Sequence, residues 1–360
     1  MLGLGCRRSE PEKPISGAVA IGVGAIPGRP GYESMVRGLQ MAVDRLNGAG
    51  KDRFLLRLPE RSSSSAVQVA QTLRDDPTVI GVVGHPESGS TIEALPVYAD
   101  AEHLGRNAVV AISPTASSPR LTGVSPWFFR VAPSDADAAR FVAHWVHDSL
   151  GSRRAAVVYR NDSYGRDWSS TFAEAFVKSG AEVVSREPYL TGMTEWDAYA
   201  RLLAVRKPDV VLFPGDAVDA LDMLRALRKA HVTVAFVGGD GTEAMRDSAE
   251  AAGAHYVSFF RADRVDTDEG RTFVRVYTER FHQAPDMFAA MSFDAALAIG
   301  RAVANGARTR MAVRRALERM GTPGMPAVQG VAGAIRFEKN HDASGRSVVV
   351  TRIAKVASMR

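Results

Sequence analysis

The sequence predicts an α/β fold made of two doubly wound units, each built around a parallel sheet. Short apolar runs rich in β-branched residues alternate with amphipathic segments of helix length, which is the pattern of βαβ units. The alternation starts again close to Ala132, so we expect a domain boundary there. The chain has 360 residues, of which 46% are hydrophobic and 24% charged, enough for two globular domains with separate cores.

The first unit is predicted to contain three strand-helix repeats and a fourth strand. The strands are expected at residues 18–26, 54–58, 79–83 and 108–112, and the helices at 32–46, 65–74 and 92–102. The segment 32–46 has one apolar face and ends at Asn47-Gly48, a helix C-terminal signal. The apolar run 79–83 suits a strand that is buried on both faces.

The second unit repeats this pattern and is followed by a helical region. Its strands are expected at 155–159, 182–189, 209–213, 232–237 and 256–260, with helices at 136–150, 164–179, 195–205 and 216–230. Helices at 268–282, 287–304 and 309–320 and strands at 333–337 and 347–353 complete the prediction.

Two hydroxyl-rich loops are expected at the carboxyl edge of the first sheet. Residues 88–91 follow one buried strand and open a helix, and residues 113–119 follow the next strand. Unpaired N–H groups and the helix dipole favour an anion at such a place, and open α/β sheets bind ligands at this edge. For either loop alone, helix capping and turn formation are a better explanation than ligand binding. The two loops on adjacent strands together favour a binding site.

Acidic residues follow two strands of the second unit. Asp216 comes after strand 209–213, and Asp240 lies after strand 232–237 between glycines that allow a tight loop. The first unit thus offers donors for an anion and the second offers carboxylates for a cation, a combination that matches a zwitterion. Helix capping is the alternative for both residues, by Asp216 itself and by the Asp240 loop near Thr242.

Two tyrosines occupy corresponding loops of the two units. Tyr164 follows the first strand of the second unit, and Tyr32 follows Gly28 to Gly31 in the first. A tyrosine at such a position covers a ligand with its ring and still donates its hydroxyl. Each residue is equally explained as a half-buried surface aromatic.

Catalytic and cofactor motifs are absent or poor. The sequence has no Gly-x-Ser-x-Gly elbow and no Gly-x-x-x-x-Gly-Lys phosphate loop, and the glycines of 22–28 match a dinucleotide fingerprint badly. His144 and His147 lie three apart on a predicted helix without a third ligand, so we read them as surface residues and predict no metal site. A pairing of His85 with Ser88 stays open. Hydroxyl groups without an evident base indicate a binding site, so we expect no enzyme and no cofactor.

Charge and hydropathy exclude two further classes of protein. The formal charge of +5 comes from scattered arginines without a long basic run, which does not indicate a nucleic-acid partner. No segment reaches the roughly 18 consecutive apolar residues of a membrane-spanning helix.

The single cysteine, Cys6, follows Leu2-Gly3-Leu4-Gly5 and precedes a polar stretch. This arrangement resembles the end of a bacterial lipoprotein signal, in which the cysteine is lipidated. Gly3 departs from that pattern, and a charged start and a full apolar core are missing. Either the written start lies inside the signal or Cys6 is incidental. We favour the first interpretation.

With these residues laid out, the chain resembles the type I periplasmic binding proteins, in particular the leucine/isoleucine/valine-binding branch that delivers amino acids to ABC importers. The resemblance spans residues 18–337. It is carried by Ile80-Gly81-Val82-Val83-Gly84-His85, Ser88 to Thr91, Pro96-Val97-Tyr98, Ile112 to Thr122, Phe129-Arg130, Tyr164-Gly165 and Pro208-Asp209-Val210.

The resemblance implies two Rossmann-like lobes joined by a hinge, the type I periplasmic-binding-protein fold, which close on a ligand. Residues 1–14 would be a signal remnant and lipid tether. Lobe 1 would comprise 15–131 plus 262–327, and lobe 2 would comprise 132–261 plus 328–360.

The resemblance also implies the ligand contacts. By position, Ser88, the backbone of Thr115, and Ser117 would hold the α-carboxylate of an amino acid. Asp240 would hold its ammonium group, and Tyr164 would line the cleft.

Two departures from the family concern the ligand's side chain. Glu87 replaces a cysteine found in some members, and Asp216 stands where the family often has a tyrosine. A polar or cationic amino acid is therefore given equal weight with an aliphatic one.

The sequence thus predicts an extracytoplasmic, lipid-anchored, monomeric solute-binding protein that captures an amino acid or similar zwitterion between its lobes for an ABC permease. A sensory receptor with the same fold is the main alternative. A Rossmann-type enzyme and a binding lobe that has lost its ligand are further hypotheses.

Overall fold

A computed structural model describes residues 12–354 of the chain, which are divided between two units. The first unit holds the residues up to Ala116, then Gly123–Val131 and Phe288–Ser344. The second holds Ser117–Thr122, Ala132–Met287 and the residues from Gly345 onward. Each unit contains helices and a largely parallel sheet, so the predicted α/β class is confirmed. Cys6 and the predicted signal remnant up to residue 11 lie outside the described residues.

The first unit is built on a five-stranded parallel sheet with the order β2-β1-β3-β4-β5. Its elements are β1 (Val19–Gly24), α1 (Tyr32–Ala49), β2 (Phe54–Arg57), α2 (Ala66–Asp75), β3 (Val79–Gly84), α3 (Ser88–Tyr98), β4 (Ala111–Ser113) and β5 (Phe128–Arg130). All residues of β1 and β3 are buried, as expected for parallel strands covered on both faces.

The second unit follows the same plan. Its elements are α4 (Asp135–Asp148), β6 (Arg154–Arg160), α5 (Ser163–Lys178), β7 (Glu182–Tyr189), α6 (Trp196–Arg206), β8 (Val210–Phe213), α7 (Ala217–Lys229), β9 (Ala235–Gly238), β10 (His255–Ser258) and α8 (Asp268–Phe281). An aromatic core of Tyr189, Trp196 and Phe213 packs beneath the carboxyl end of the sheet.

The C-terminal part of the chain contributes to both units. Helices α9 (Met287–Ala304) and α10 (Arg310–Glu318) and a two-stranded ribbon, β11 (Val328–Gly330) and β12 (Gly333–Ile335), complete the first unit. Strand β13 (Val349–Arg352) pairs antiparallel with β10, which gives the second sheet the order β13-β10-β9-β8-β6-β7.

The unit boundaries differ from the predicted ones in three segments. Ser117–Thr122, expected in the first lobe, belongs to the second unit. Residues 262–287, expected in the first lobe, belong to the second unit, where the ring of Phe273 on α8 lies 6.3 Å from that of Phe260. Residues 328–344, expected in the second lobe, belong to the first unit. Asp294 on α9 accepts the N–H of Val331 at 2.6 Å and so fixes the ribbon there.

Helix α9 is the core helix of the first unit. Gly38 of α1 lies against it so closely that a Cβ atom at Gly38 would come within 2.1 Å of the Ala289 carbonyl oxygen. Among the described residues, α9 is long and apolar enough by composition to cross a membrane, but 83% of it is buried inside the protein. Its apolar character is therefore explained by core packing.

Candidate ligand-binding site

The order of the first sheet changes direction between β1 and β3, because the chain adds β2 on one side of β1 and β3 on the other. In open α/β sheets, ligands bind outside the carboxyl ends of the strands at such a switch point. The loops that follow β1 and β3 form a surface depression at this place. It is lined by residues that include Ala25, Arg29, Tyr32, His85, Glu87 and Ser90. Two of the predicted site residues, Tyr32 and Glu87, are thus brought together.

The start of α3 supplies backbone donors beside this depression. Glu87 is the N-cap residue, and Ser88 begins the helix with a side chain that is buried. The first bond of the helix runs from the N–H of Thr91 to the carbonyl of Glu87, at 2.9 Å. The N–H groups of Gly89 and Ser90 therefore have no acceptor within the helix, and the helix dipole adds a positive potential at this end.

The hydroxyl groups of the two loops hold the backbone that follows β3. Ser113 donates to the carbonyl of His85 at 2.6 Å, and Thr115 donates to the carbonyl of Pro86 at 2.8 Å. Thr91 on α3 also donates to the His85 carbonyl, at 3.0 Å. These three hydroxyls therefore hydrogen-bond to the protein's own backbone. This is the turn-stabilising role that the sequence left open as the alternative to ligand binding. Thr115 can still offer its backbone N–H to an anion.

Tyr32 is positioned by two glycines in the loop between β1 and α1. Gly28 and Gly31 have φ angles of +78° and +80°, which side chains rarely adopt. A Cβ atom at Gly31 would also lie 2.7 Å from the ring of Phe288, in the same unit. Burial raises the pKa of the Tyr32 hydroxyl above its ordinary value, and Glu33 adds to the shift.

His85 is fully buried beneath the depression. Its Nε2 atom lies 3.0 Å from the hydroxyl oxygen of Tyr98, and its Nδ1 atom has no hydrogen-bond partner among the described residues. Burial lowers the pKa of the imidazole to about 3, so His85 is neutral at physiological pH. The side chain of His85 thus pairs with Tyr98 and not with Ser88, so the Ser88–His85 pairing that the sequence left open is not observed.

In the second unit, Asp240 is held by two aromatic donors. The hydroxyl of Tyr164 donates to Asp240 Oδ1 at 2.9 Å, and the indole N–H of Trp168 donates to the same oxygen at 3.3 Å. Asp240 is 4% exposed, and burial raises the pKa of its carboxyl group to about 6. Burial also raises the pKa of Tyr164, with Asp240 and Asp135 adding to the shift.

The glycines around Asp240 permit this close packing. A Cβ atom at Gly239 would lie 2.4 Å from the Tyr164 hydroxyl oxygen, and one at Gly241 would lie 2.5 Å from the carbonyl oxygen of Gly215. The short helix Asp240–Asp247 begins without a side-chain cap. The capping alternative for the Asp240 carboxylate is therefore not observed.

Asp216 lies at the switch point of the second sheet, between the carboxyl ends of β6 and β8. It caps α7 by accepting the N–H of Asp219 at 3.0 Å, and its Oδ2 lies 3.7 Å from Nη1 of Arg160. The capping role that the sequence left open is thus observed. A contact of Asp216 with a ligand stays a prediction.

Ser117 belongs to the second unit, whereas Ser88 and Thr115 belong to the first. It is buried, and its carbonyl accepts the N–H of Asp135 at 2.7 Å. Its predicted role in carboxylate binding therefore stays a prediction.

Three residues of the second unit were missed in the sequence. Trp168 and Tyr164 are four apart on α5 and share one helix face, but that spacing is equally typical of core residues. Arg160 places its guanidinium 5.6 Å from the centre of the Tyr164 ring and also pairs with Asp162 at 2.6 Å. Asp135 is fully buried in the first turn of α4, where its acidic side chain looks like ordinary capping chemistry.

The polar groups at the two sheet edges are of kinds that bind small molecules. Residues 12–354 contain no group of three or more His, Cys, Asp and Glu side chains that could hold a metal ion. The first unit presents backbone donors at its switch point, and the second presents a buried carboxylate flanked by aromatic rings. Two α/β units with polar groups at the carboxyl ends of their sheets define a small-molecule binding protein of the two-lobed α/β class.

Comparison with known proteins agrees with this class. The family described as periplasmic binding protein matches residues 27–356. An amino acid binding protein of Pseudomonas aeruginosa is 28% identical over 232 residues, which cover 62% of this chain and 60% of that protein. A Leu/Ile/Val-binding protein homologue of Brucella abortus is 22% identical over 79% of this chain and 77% of its own.

A solved structure shows the same fold. The branched-chain amino acid transporter substrate-binding protein of Streptococcus pneumoniae, in complex with isoleucine, superposes with a TM-score of 0.82 at 21% identity. The superposition covers 94% of this chain and 97% of that one.

The chain belongs to the periplasmic binding protein family. The predicted resemblance to the leucine/isoleucine/valine-binding branch and the predicted type I fold are confirmed. The family is one of solute-binding proteins and not of enzymes.

Proposed function

We propose that this chain is an extracytoplasmic solute-binding protein that captures an amino acid and delivers it to an ABC importer. The main support for this proposal is that the two sheet edges differ: one presents N–H donors and the other presents a buried carboxylate. An α-amino acid has a carboxylate group for the edge with the N–H donors and an ammonium group for the edge with the buried carboxylate. The names of the relatives, an amino acid binding protein and Leu/Ile/Val-binding homologues, support the same ligand class.

The α-carboxylate is assigned to the first-turn donors of α3 with Ser88, to the backbone N–H of Thr115, and to Ser117. Several N–H groups and a helix N-terminus bind a carboxylate without any charged partner. This agrees with the hydroxyls of Ser113 and Thr115, which are already used to hold the neighbouring carbonyls.

The α-ammonium group is assigned to Asp240, with Tyr164 beside it. Burial opposes ionisation of Asp240, as its pKa of about 6 indicates. A bound ammonium group would compensate that cost, because an opposite charge at contact favours the ionised carboxylate. Tyr164 and Trp168 fix the carboxylate from one side through Oδ1.

Closure of the two lobes on the ligand, a lipid anchor at Cys6, a monomeric state and a location outside the cytoplasm are parts of this proposal. The family and the relatives support extracytoplasmic binding. Cys6 lies outside the described residues, so mass spectrometry of the protein purified from membranes tests the anchor: a diacylglycerol-modified Cys6 is expected.

A thermal-shift screen against the twenty amino acids, small peptides, polyamines and nucleotides tests the ligand class. A ligand at 100 times its Kd stabilises the native state by about 2.7 kcal/mol, which such a screen detects readily. We expect a shift with amino acids only. A shift with nucleotides alone would contradict the proposal.

Uptake of the identified ligand by cells with and without this chain separates transport from sensing. Loss of uptake is expected. Normal uptake together with a lost response to the ligand would favour the receptor hypothesis.

A further inference from the structure

The depression at the switch point of the first unit carries two opposite charges that do not pair with each other. Glu87 is half-buried, and its Oε2 accepts the hydroxyl of Ser90 at 3.0 Å. Arg29 lines the same depression from the loop after β1. Within residues 12–354, neither side chain has an ion-pair partner. Both charges are therefore available to a bound molecule, and their formal sum is zero.

His85 is a buried residue in the lining of the same depression. The Tyr98 hydroxyl has His85 Nε2 as its acceptor, at 3.0 Å, and no other acceptor among the described residues. With Tyr98 donating to Nε2, the proton of the neutral imidazole is on Nδ1. That Nδ1 atom is buried and has no partner in the described part of the chain.

We propose that this depression receives the side chain of the bound amino acid, and that this side chain is neutral and both donates and accepts hydrogen bonds, as a carboxamide does. The proposal rests on the proposed function and names its substrate class. The amide NH₂ donates to Glu87, and the amide oxygen accepts from Arg29. Asparagine and glutamine are the common amino acids of this class.

Other side chains fit these groups less well. A hydrocarbon side chain would cover the Glu87 carboxylate and leave it with the Ser90 hydroxyl alone. Sites built to hydrogen-bond a substrate reject analogues that lack the polar group. A cationic side chain would pair with Glu87 but would be repelled by Arg29. An acidic side chain would be repelled by Glu87. The resemblance to leucine-binding relatives therefore does not extend to the charges of this depression.

Calorimetric titration of the full chain with glutamine, asparagine, leucine, isoleucine, valine, lysine and glutamate tests the proposal. One of the two amides is expected to bind at least about 10²-fold more tightly than leucine. Glu87→Leu should weaken binding of that amide at least tenfold. The difference between the affinity for the amide and the affinity for leucine should become smaller. Glu93→Leu, which changes an exposed glutamate on the same helix, should leave both affinities unchanged. Glu87→Gln provides a variant of nearly the same shape if Glu87→Leu does not fold, and it should weaken the amide too.

Tighter binding of leucine, of lysine or of glutamate than of either amide would overturn this inference and leave the proposed function standing. An amide preference that neither Glu87 variant changes would also overturn it. Absence of binding by every amino acid would overturn both proposals together, so the two failures are distinguishable.

Discussion

The hydroxyl of Tyr164 donates to Oδ1 of Asp240 at 2.9 Å, and Gly239 lies so close to that hydroxyl that no side chain fits between them. The N–H of Gly241 donates back to the Tyr164 oxygen at 3.3 Å. The tyrosine is thus both a donor to the acid and an acceptor for the loop that carries it. This reciprocal pair fixes the buried carboxylate to which we assign the ammonium group of the ligand.

Tyr164→Phe removes one of the two donors to Asp240 Oδ1. The carboxylate is then less well stabilised, and we expect amino acid affinity to fall about tenfold and the free energy of unfolding to fall by about 1–2 kcal/mol. Titration calorimetry and denaturant unfolding measure the two effects. Tyr159→Phe, at the end of β6, is the matched control and should change neither. Unaltered affinity in Tyr164→Phe would remove this hydroxyl from the site.

Ligand affinity should depend on pH through Asp240. Its folded pKa of about 6 lies above the ordinary 3.8, so the carboxyl group of the free protein takes up a proton as the pH falls through 6. An ammonium group needs the ionised form, and affinity should therefore fall about tenfold between pH 7 and pH 5. Asp240→Asn should abolish this dependence and most of the affinity. Asp247→Asn, on the exposed end of the same short helix, should keep both.

The same pKa gives a prediction for stability without ligand. A folded pKa raised above the unfolded value means that, between pH 4 and 6, the native state binds more protons than the unfolded state, so this group's contribution to stability declines as the pH rises. At pH 7.5 the ligand-free protein therefore carries a penalty on the order of 3 kcal/mol. Asp240→Asn should raise the Tm of the ligand-free protein at that pH. A lower Tm would show that the carboxylate is stabilised by groups other than those described.

The loop between β1 and α1 offers a matched pair of glycines. Gly28→Ala forces alanine into a positive φ, but the added Cβ atom has no neighbour within 4 Å. We expect the free energy of unfolding to fall by about 1 kcal/mol. Gly31→Ala has the same φ penalty and also brings a Cβ atom to 2.7 Å from the Phe288 ring, so it should cost more. Chemical denaturation of both variants measures the difference. Equal costs would mean that the Phe288 ring moves away freely.

Arg310 links α10 to the first sheet. Its buried guanidinium donates to the carbonyls of Val79, Arg74, Asn107 and Asp76 at 2.6–2.9 Å. Arg310→Met leaves these acceptors without a donor, and we expect the free energy of unfolding to fall by about 3 kcal/mol or more. Arg315→Met, at an exposed position of the same helix, is the control for loss of an arginine. A similar small effect in both variants would contradict the role of Arg310.

Much of the fold could be predicted because parallel strands leave an unambiguous pattern. The runs at β1 and β3 are apolar throughout, and their loops end at one sheet edge by topology. Asp240 could be found for the same reason, since it follows β9 directly. The ribbon β11–β12 could not be assigned to its unit, because its partner is Asp294, a buried acid on a helix far away in the chain.

The second layer of the site was harder to predict. Trp168 supports Asp240, but its spacing from Tyr164 is also that of a core helix face. The hydroxyls of Ser113 and Thr115 belong to a hydroxyl-rich loop that suggested ligand contacts, yet they donate to the carbonyls after β3. Sequence shows that a polar group lies at the edge of a sheet but not which neighbour uses its hydrogen bond.

The central claim is that this chain recognises both charged groups of an amino acid, and calorimetric titration with matched derivatives tests it most directly. The amino acid identified in the screen is compared with its N-acetyl form, which lacks the ammonium charge, and with its methyl ester, which lacks the carboxylate. We predict binding of the free amino acid and a loss of at least about 10²-fold for each derivative, since each leaves buried partner groups unsatisfied. Equal affinity for the free amino acid and both derivatives would contradict the account.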